Sequence, residues 1–253
     1  MKNKNILLGL LAAVLLVGCA GTEARLKKIS PKVSAAGRKH DMGTVGKLAS
    51  SIKPGDLSSE RLRGYSDETL NAVHDALVKI SLYLPDEESY ALKQKKTFDE
   101  KVRRGKADGE DIERMYSAFL MAGLFDEASG LRQAFPGSSL PEVPEVSTAA
   151  GGAGGWLVYE VSSRGKKVEL RSLPNNGPRI VMVMRPGCEF AEMAADGILS
   201  DPELGPVFRA KGFMLTRTFD PVGVEAAKKH SDFDAVYMAR KSGDFPGFSL
   251  LRI

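Results

Sequence analysis

Apolar residues recur at helical spacing through the first half of the chain and at strand spacing through much of the second. Leu70, Val73, Leu77 and Ile80 fall on one face of a helix predicted over 66–84. Ser66 stands where a cap belongs, Asp67 and Glu68 suit the first turn, and Pro85 stops the helix. A second helix is predicted over 86–103, with Asp86 as cap and Ala91, Phe98 and Val102 turned inward. Its Lys93, Lys95, Lys96, Lys101 and Arg103, with Arg104 just after, read as a solvated face. Residues 108–136 read as a helical hairpin. Ile112, Met115, Tyr116, Phe119 and Leu120 form its first stripe, Gly123 the break, and Phe125, Ala128, Leu131 and Phe135 its second.

From Trp156 the period changes. Residues 156–161 and 168–173 read as adjacent strands around a turn at 163–166, and 174–178 is a further turn. Ile180, Val181, Met182, Val183 and Met184 form a short buried strand, broken by Arg185-Pro186-Gly187. Beyond Cys188 the apolar positions Phe190, Met193, Ala194 and Ile198 have helical spacing, and Leu204, Val207 and Phe208 extend the pattern to Gly212. A strand over 213–218, a short helix over 222–230, and strand candidates at 235–240 and 247–253 follow. Alternating elements of this kind favour an α/β sheet.

Residues 138–155 are rich in Pro, Ser and Gly and read as a linker between an α-helical domain (61–137) and a second domain (156–253). The glycines at 151–155 follow no strand and open no helix, so they are not a phosphate loop. The Gly123, Phe125, Ala128 and Pro136 arrangement resembles a tetratricopeptide-type turn, but one hairpin is not a repeat array.

The N-terminus changes the picture of the compartment. Lys2 and Lys4 precede an apolar segment from Ile6 to Val17, which reads as a secretory signal, too short for a comfortable membrane span. It ends in Leu16-Val17-Gly18-Cys19, which resembles the lipobox of bacterial lipoproteins. The resemblance implies a signal peptide over 1–18, diacylglycerol on the Cys19 thiol, cleavage before Cys19 and acylation of the new amino terminus. Ala20 resembles the following residue of outer-membrane rather than inner-membrane cargo. The expected location is the outer membrane, lipid-anchored and facing the periplasm, with surface exposure as the other arrangement. Residues 19–60 read as a basic tether: over 22–54, Arg25, Lys27, Lys28, Lys32, Arg38, Lys39, Lys47 and Lys53 face only Glu23 and Asp41. Scattered charges of this kind favour a solvated spacer over a headgroup-binding segment.

The charge of +4 is mild, and no dense basic stripe with interleaved aromatics occurs, which argues against nucleic acid as a partner. The chain has two cysteines, Cys19 and Cys188. With Cys19 blocked as a thioether, the mature protein keeps one free thiol and forms no internal disulfide. Cys188 lies at a strand-to-helix turn, where unpaired backbone N–H groups and the helix dipole suit an anionic sulfur, although Glu189 opposes one. His40, His74 and His230 are scattered, so no zinc set or Cys/His dyad is indicated and no metal or cofactor is expected. His230 is the histidine with reach to Cys188 in space, and His74 reads as a surface or boundary residue.

Strand, loop, cysteine at a helix start, the segment SDPELGPVF, then a strand and short helix: this order resembles the thioredoxin-like superfamily over about a third of the chain. The resemblance implies that Cys188 takes the place of the nucleophilic cysteine and that Ala191 occupies the resolving position. It also implies a cis-proline facing the thiol. Pro246 is the candidate, and a rival alignment puts Asp234 there. The expected protein is a periplasm-facing lipoprotein with a degenerate thioredoxin-like domain that binds or scaffolds in the envelope. The alternative is a monothiol oxidoreductase or thiol-capture protein using Cys188, with periplasmic proteins or small thiols as partners.

Overall fold

The computed structural model describes residues 21–85, 87–149, 155–174, 176–240 and Phe245. The chain divides into two compact units, 1–124 and 125–253. It is a mixed α/β protein.

The first unit is helical: residues 21–27, then α1 (Ile29–Arg38), α2 (Met42–Ser51), a 3-10 turn (Pro54–Leu57), α3 (Ser59–Gly64), α4 (Asp67–Tyr83), α5 (Glu88–Arg103) and α6 (Gly109–Met121). The stretch expected as a tether is the main correction. Leu26, Ile29, Val33, Val45, Ala49, Ile52 and Leu57 are buried in one core with Leu70, Val73, Leu77 and Ile80 of α4. Leu26, Ile29, Val33 and Ala36 share one helical face, and the lysines between them are displayed outward. Helix ends are closed by side chains: Ser66 accepts from the Thr69 N–H and Asp108 from the Asp111 N–H. The cap expected at Asp86 lies outside the described residues. Val102, expected inward, is exposed, because α5 turns Gln94, Thr97, Phe98 and Lys101 to the interior instead.

The second unit begins with α7 (Phe125–Ala134), so the second helix of the expected hairpin is grouped with the sheet. Strands β1 (Glu145–Thr148), β2 (Gly155–Ser162), β3 (Lys167–Pro174), β4 (Ile180–Val183), β5 (Gly212–Thr216) and β6 (Val236–Ala239) form one sheet in the order β1-β3-β2-β6-β5-β4. The stretch expected as a linker therefore contributes β1, which runs parallel to β3. Strands β2 and β3 form an antiparallel hairpin, whereas β4, β5 and β6 are parallel and need the crossovers that follow them. Helices α8 (Glu189–Ser200) and α9 (Leu204–Lys211) link β4 to β5, and α10 (Pro221–Ser231) links β5 to β6.

Period-two alternation assigns the strand side chains. Met182, Met214, Val236, Met238, Tyr159 and Val161 join the core built with the helices, while Val181, Val183, Phe213, Leu215 and Val158 face the other side. The inward face of α8 is Ala191, Ala195, Ile198 and Leu199. This corrects the expected stripe: Phe190 is 81% exposed and Met193 62% exposed. Small Ala191 and Ala195 let the helix lie close to the methionine-rich sheet, and the larger side chains on the neighbouring face are left in water.

Helix α9 packs on the end of α8 through Gly205, where a Cβ would lie 2.6 Å from the Leu199 carbonyl oxygen. Gly205→Ala gains about 1 kcal/mol of helix propensity. The backbone clash costs about 1–3 kcal/mol and is expected to win. A net destabilisation in urea unfolding checks this, and a stabilised variant would refute it.

Candidate functional site

Strand β4 leads into the cysteine loop. The Met184 N–H donates to the Leu215 carbonyl at 3.0 Å, which keeps the chain in register one residue beyond β4. Gly187 then takes φ +72°, a left-handed conformation that suits glycine, and the Cys188 N–H closes the turn on the Arg185 carbonyl at 3.1 Å. Cys188 is the N-cap of α8, and its carbonyl accepts from the N–H groups of Ala191 at 2.9 Å and Glu192 at 3.0 Å. Its side chain makes no capping bond, and the half-buried thiol is free.

The electrostatic setting is filled by the protein's own acids. Glu192 Oε1 accepts from the Gly187 N–H at 3.2 Å, and Glu189 occupies the first turn of α8. The start of α10 lies beside the loop: a Cβ on Gly223 would come within 2.8 Å of Pro186 Cβ. There Asp220 Oδ1 accepts from the Gly223 N–H at 2.8 Å. The loop thus sits at the carboxyl ends of parallel strands, where open α/β sheets hold ligands. Two of the N–H groups that would meet an anion already bind carboxylates.

No second thiol approaches Cys188 among the described residues. Ala191, expected at the resolving position, packs against the core one helical turn away. Asp234 does not face the thiol. It precedes the amino end of β6, while Cys188 follows the carboxyl end of β4, and these ends are opposite because β4, β5 and β6 run parallel. Pro246 lies outside the described residues, as do Leu16, Val17, Gly18 and Cys19. His230 Nε2 lies 3.1 Å from Asp196 Oδ2, which places it beside a residue eight positions beyond Cys188, about 12 Å along the helix axis. A Cys/His dyad does not form. Among the described residues, no group of His, Cys, Asp and Glu is arranged to hold a metal ion, and no helix is long and apolar enough to cross a membrane.

Sequence reasoning missed two features of this site. Glu192 reaches back to the Gly187 N–H five residues earlier, and its signal is that of an acid in the first turn of a helix. The exposure of Phe190 and Met193 has none, because both apolar faces of α8 satisfy the helical period.

The chain matches no protein-family model, no curated protein and no solved structure.

In the first unit, His74 is the other departure from expectation. It is buried, not at a boundary, between α5 and α6. Thr97 Oγ1 donates its single proton to the Gln94 carbonyl at 2.8 Å, so His74 Nδ1 donates to Thr97 Oγ1 at 2.9 Å. That tautomer leaves Nε2 without a hydrogen-bond partner, 3.3 Å from Asp111 Oδ1. Asp111 Oδ2 meets Lys101 Nζ at 2.5 Å. Burial, then the Lys101 charge, push the His74 pKa down to about 4, against the opposing pull of Asp111. The His74–Asp111 contact is therefore not an ion pair at neutral pH. Burial alone would raise the Asp111 carboxyl, but hydrogen bonds from Lys101 and the Asp108 N–H, with the nearby charges, hold it below the usual range.

Proposed function

We propose that the protein is an outer-membrane lipoprotein, anchored through Cys19 and facing the periplasm, whose second unit is a degenerate thioredoxin-like domain that binds a periplasmic protein partner. The observation that carries this reading is the surface beside Cys188. Phe190 and Met193 stand in water on the first turns of α8, next to a lone thiol whose resolving position is alanine. Large exposed apolar side chains are typical of recognition surfaces. A domain without a second thiol cannot complete a dithiol cycle. The lipobox Leu16-Val17-Gly18-Cys19 supports the anchor. A monothiol oxidoreductase is the second reading, favoured by the free, half-buried thiol at a helix start.

The two readings separate in one experiment on intact cells. A photo-crosslinking residue in place of Phe190 is expected to give a discrete, light-dependent adduct in the membrane fraction, unchanged by Cys188→Ser. Adducts that form without light, disappear on reduction and require Cys188 would instead establish the monothiol reading. Cys19→Ser is expected to release the protein from the membrane fraction, and continued retention would refute the anchor.

A further inference from the structure

In the first unit, α3 and α5 line a half-open cavity of about 330 Å³ with the preceding 3-10 turn, near the lower end of the roughly 300–1,000 Å³ range of small-ligand sites. Leu57 and Leu62, both buried in the core, give it an apolar floor. Its walls are charged, and the charges are not balanced. Glu100 is fully occupied: Arg103 binds it through Nε and Nη2, each at 2.7 Å, and Arg104 Nε adds a third bond at 2.7 Å. Asp99 is taken by Lys95 at 2.8 Å. Arg63 and Lys96, which line the same cavity, have no acidic partner among the described residues.

A second observation extends the positive field. Lys93, one helical turn before Lys96, is pushed below the usual lysine range first by burial and then by the charges of Lys53 and Lys96. These ammonium groups are close enough to repel one another. Opposed cations over an apolar floor, with the local acids already neutralised, form an incomplete electrostatic site. A guanidinium fork and an ammonium together match a doubly charged tetrahedral oxyanion. Ser58 accepts the Arg61 N–H at 3.3 Å, which leaves its hydroxyl proton free to donate into the cavity.

We propose that this cavity binds a phosphate ester, with Arg63 and Lys96 holding the phosphate and Leu57 and Leu62 receiving the adjoining apolar part of the ligand. The same chemistry is carried by a soluble phosphate ester and by a phospholipid headgroup, and the cavity is large enough for more than the bare anion.

Titration of the full chain followed by NMR tests this, with inorganic phosphate, glycerol phosphate and a short-chain phosphatidylglycerol below its micelle concentration as probes. Saturable shifts are expected at amides of residues 57–63 and 93–103. Arg63→Gln with Lys96→Gln is expected to weaken binding at least tenfold, and Asp99→Asn to strengthen it, because removing an acid raises the local positive potential. All three positions are exposed, so the fold is expected to survive, checked by unchanged thermal unfolding. Tightest binding of the short-chain lipid identifies a headgroup source, and equal affinity for glycerol phosphate identifies a soluble ester. Binding equal in the double variant and the unaltered chain, or no saturable binding of any probe, overturns the proposal.

Discussion

Lys101→Met is expected to cost the first unit about 3–5 kcal/mol, a large share of the stability of a small domain. The Lys101 and Asp111 side chains are only 10% and 7% exposed and meet at 2.5 Å. Removing the lysine leaves a carboxylate buried without its counter-charge, and the residual bond from the Asp108 N–H at 3.2 Å does not replace it. Adding Asp111→Asn removes the stranded charge and is expected to recover much of the loss. The recovery is incomplete because Asp111 also belongs to the capping box at the start of α6. Urea unfolding of the single and double variants measures the coupling. Simple additivity would show that the pair does not act as a unit.

Acid is expected to weaken the same unit in a window set by His74. An unfolded histidine titrates near 6.5, whereas the folded ring titrates at about 4. Between these values the unfolded chain binds a proton that the folded one does not, so stability falls as the pH falls. The contribution is fully present above pH 6.5, is lost progressively down to about 4, and amounts to about 3 kcal/mol at 1.36 kcal/mol per pH unit. Carboxylates with lowered values, such as Asp111 and Asp75, add a further loss that sets in as the pH falls into the ordinary Asp range, where the unfolded chain takes up protons before the folded one does. Hydrogen exchange at the amides of residues 73–80, followed against pH in the full chain, reports this locally. His74→Gln is expected to flatten the profile between 6.5 and 4. An unchanged slope in that variant would assign the acid sensitivity elsewhere.

Several elements are legible in the sequence because local rules and tertiary packing agree on them. Ser66 caps α4, its stripe of Leu70, Val73, Leu77 and Ile80 is buried, and the alternating residues of β2 and β3 divide between the two faces of the sheet. Cys188 at the start of α8 is likewise readable, since a short apolar run, a Pro-Gly break and a helical period leave little choice. The helical character of residues 21–57 is obscured by their charge. Lysines and arginines interrupt the apolar residues in sequence, yet Leu26, Ile29, Val33 and Ala36 still meet on one face once the helix forms.

Residue identity alone fixed which side chains can carry chemistry: Cys188 as the one cysteine beyond the N-terminal apolar segment, alanine three positions after it, and three scattered histidines. Only the tertiary structure decided what surrounds them. It turned Ala191 and Ala195 of α8 inward and left Phe190 and Met193 in water, a choice that helical period leaves open and close packing on the sheet resolves. It ran β4, β5 and β6 parallel, which puts Asp234 at the far end of the sheet from Cys188. It also drew His74, Lys101 and Asp111 from three helices into one buried cluster. Such pairings are long-range: each partner satisfies a charge or a polar atom that burial has cut off from water, and nothing in a local stretch of chain names the residue that will do so.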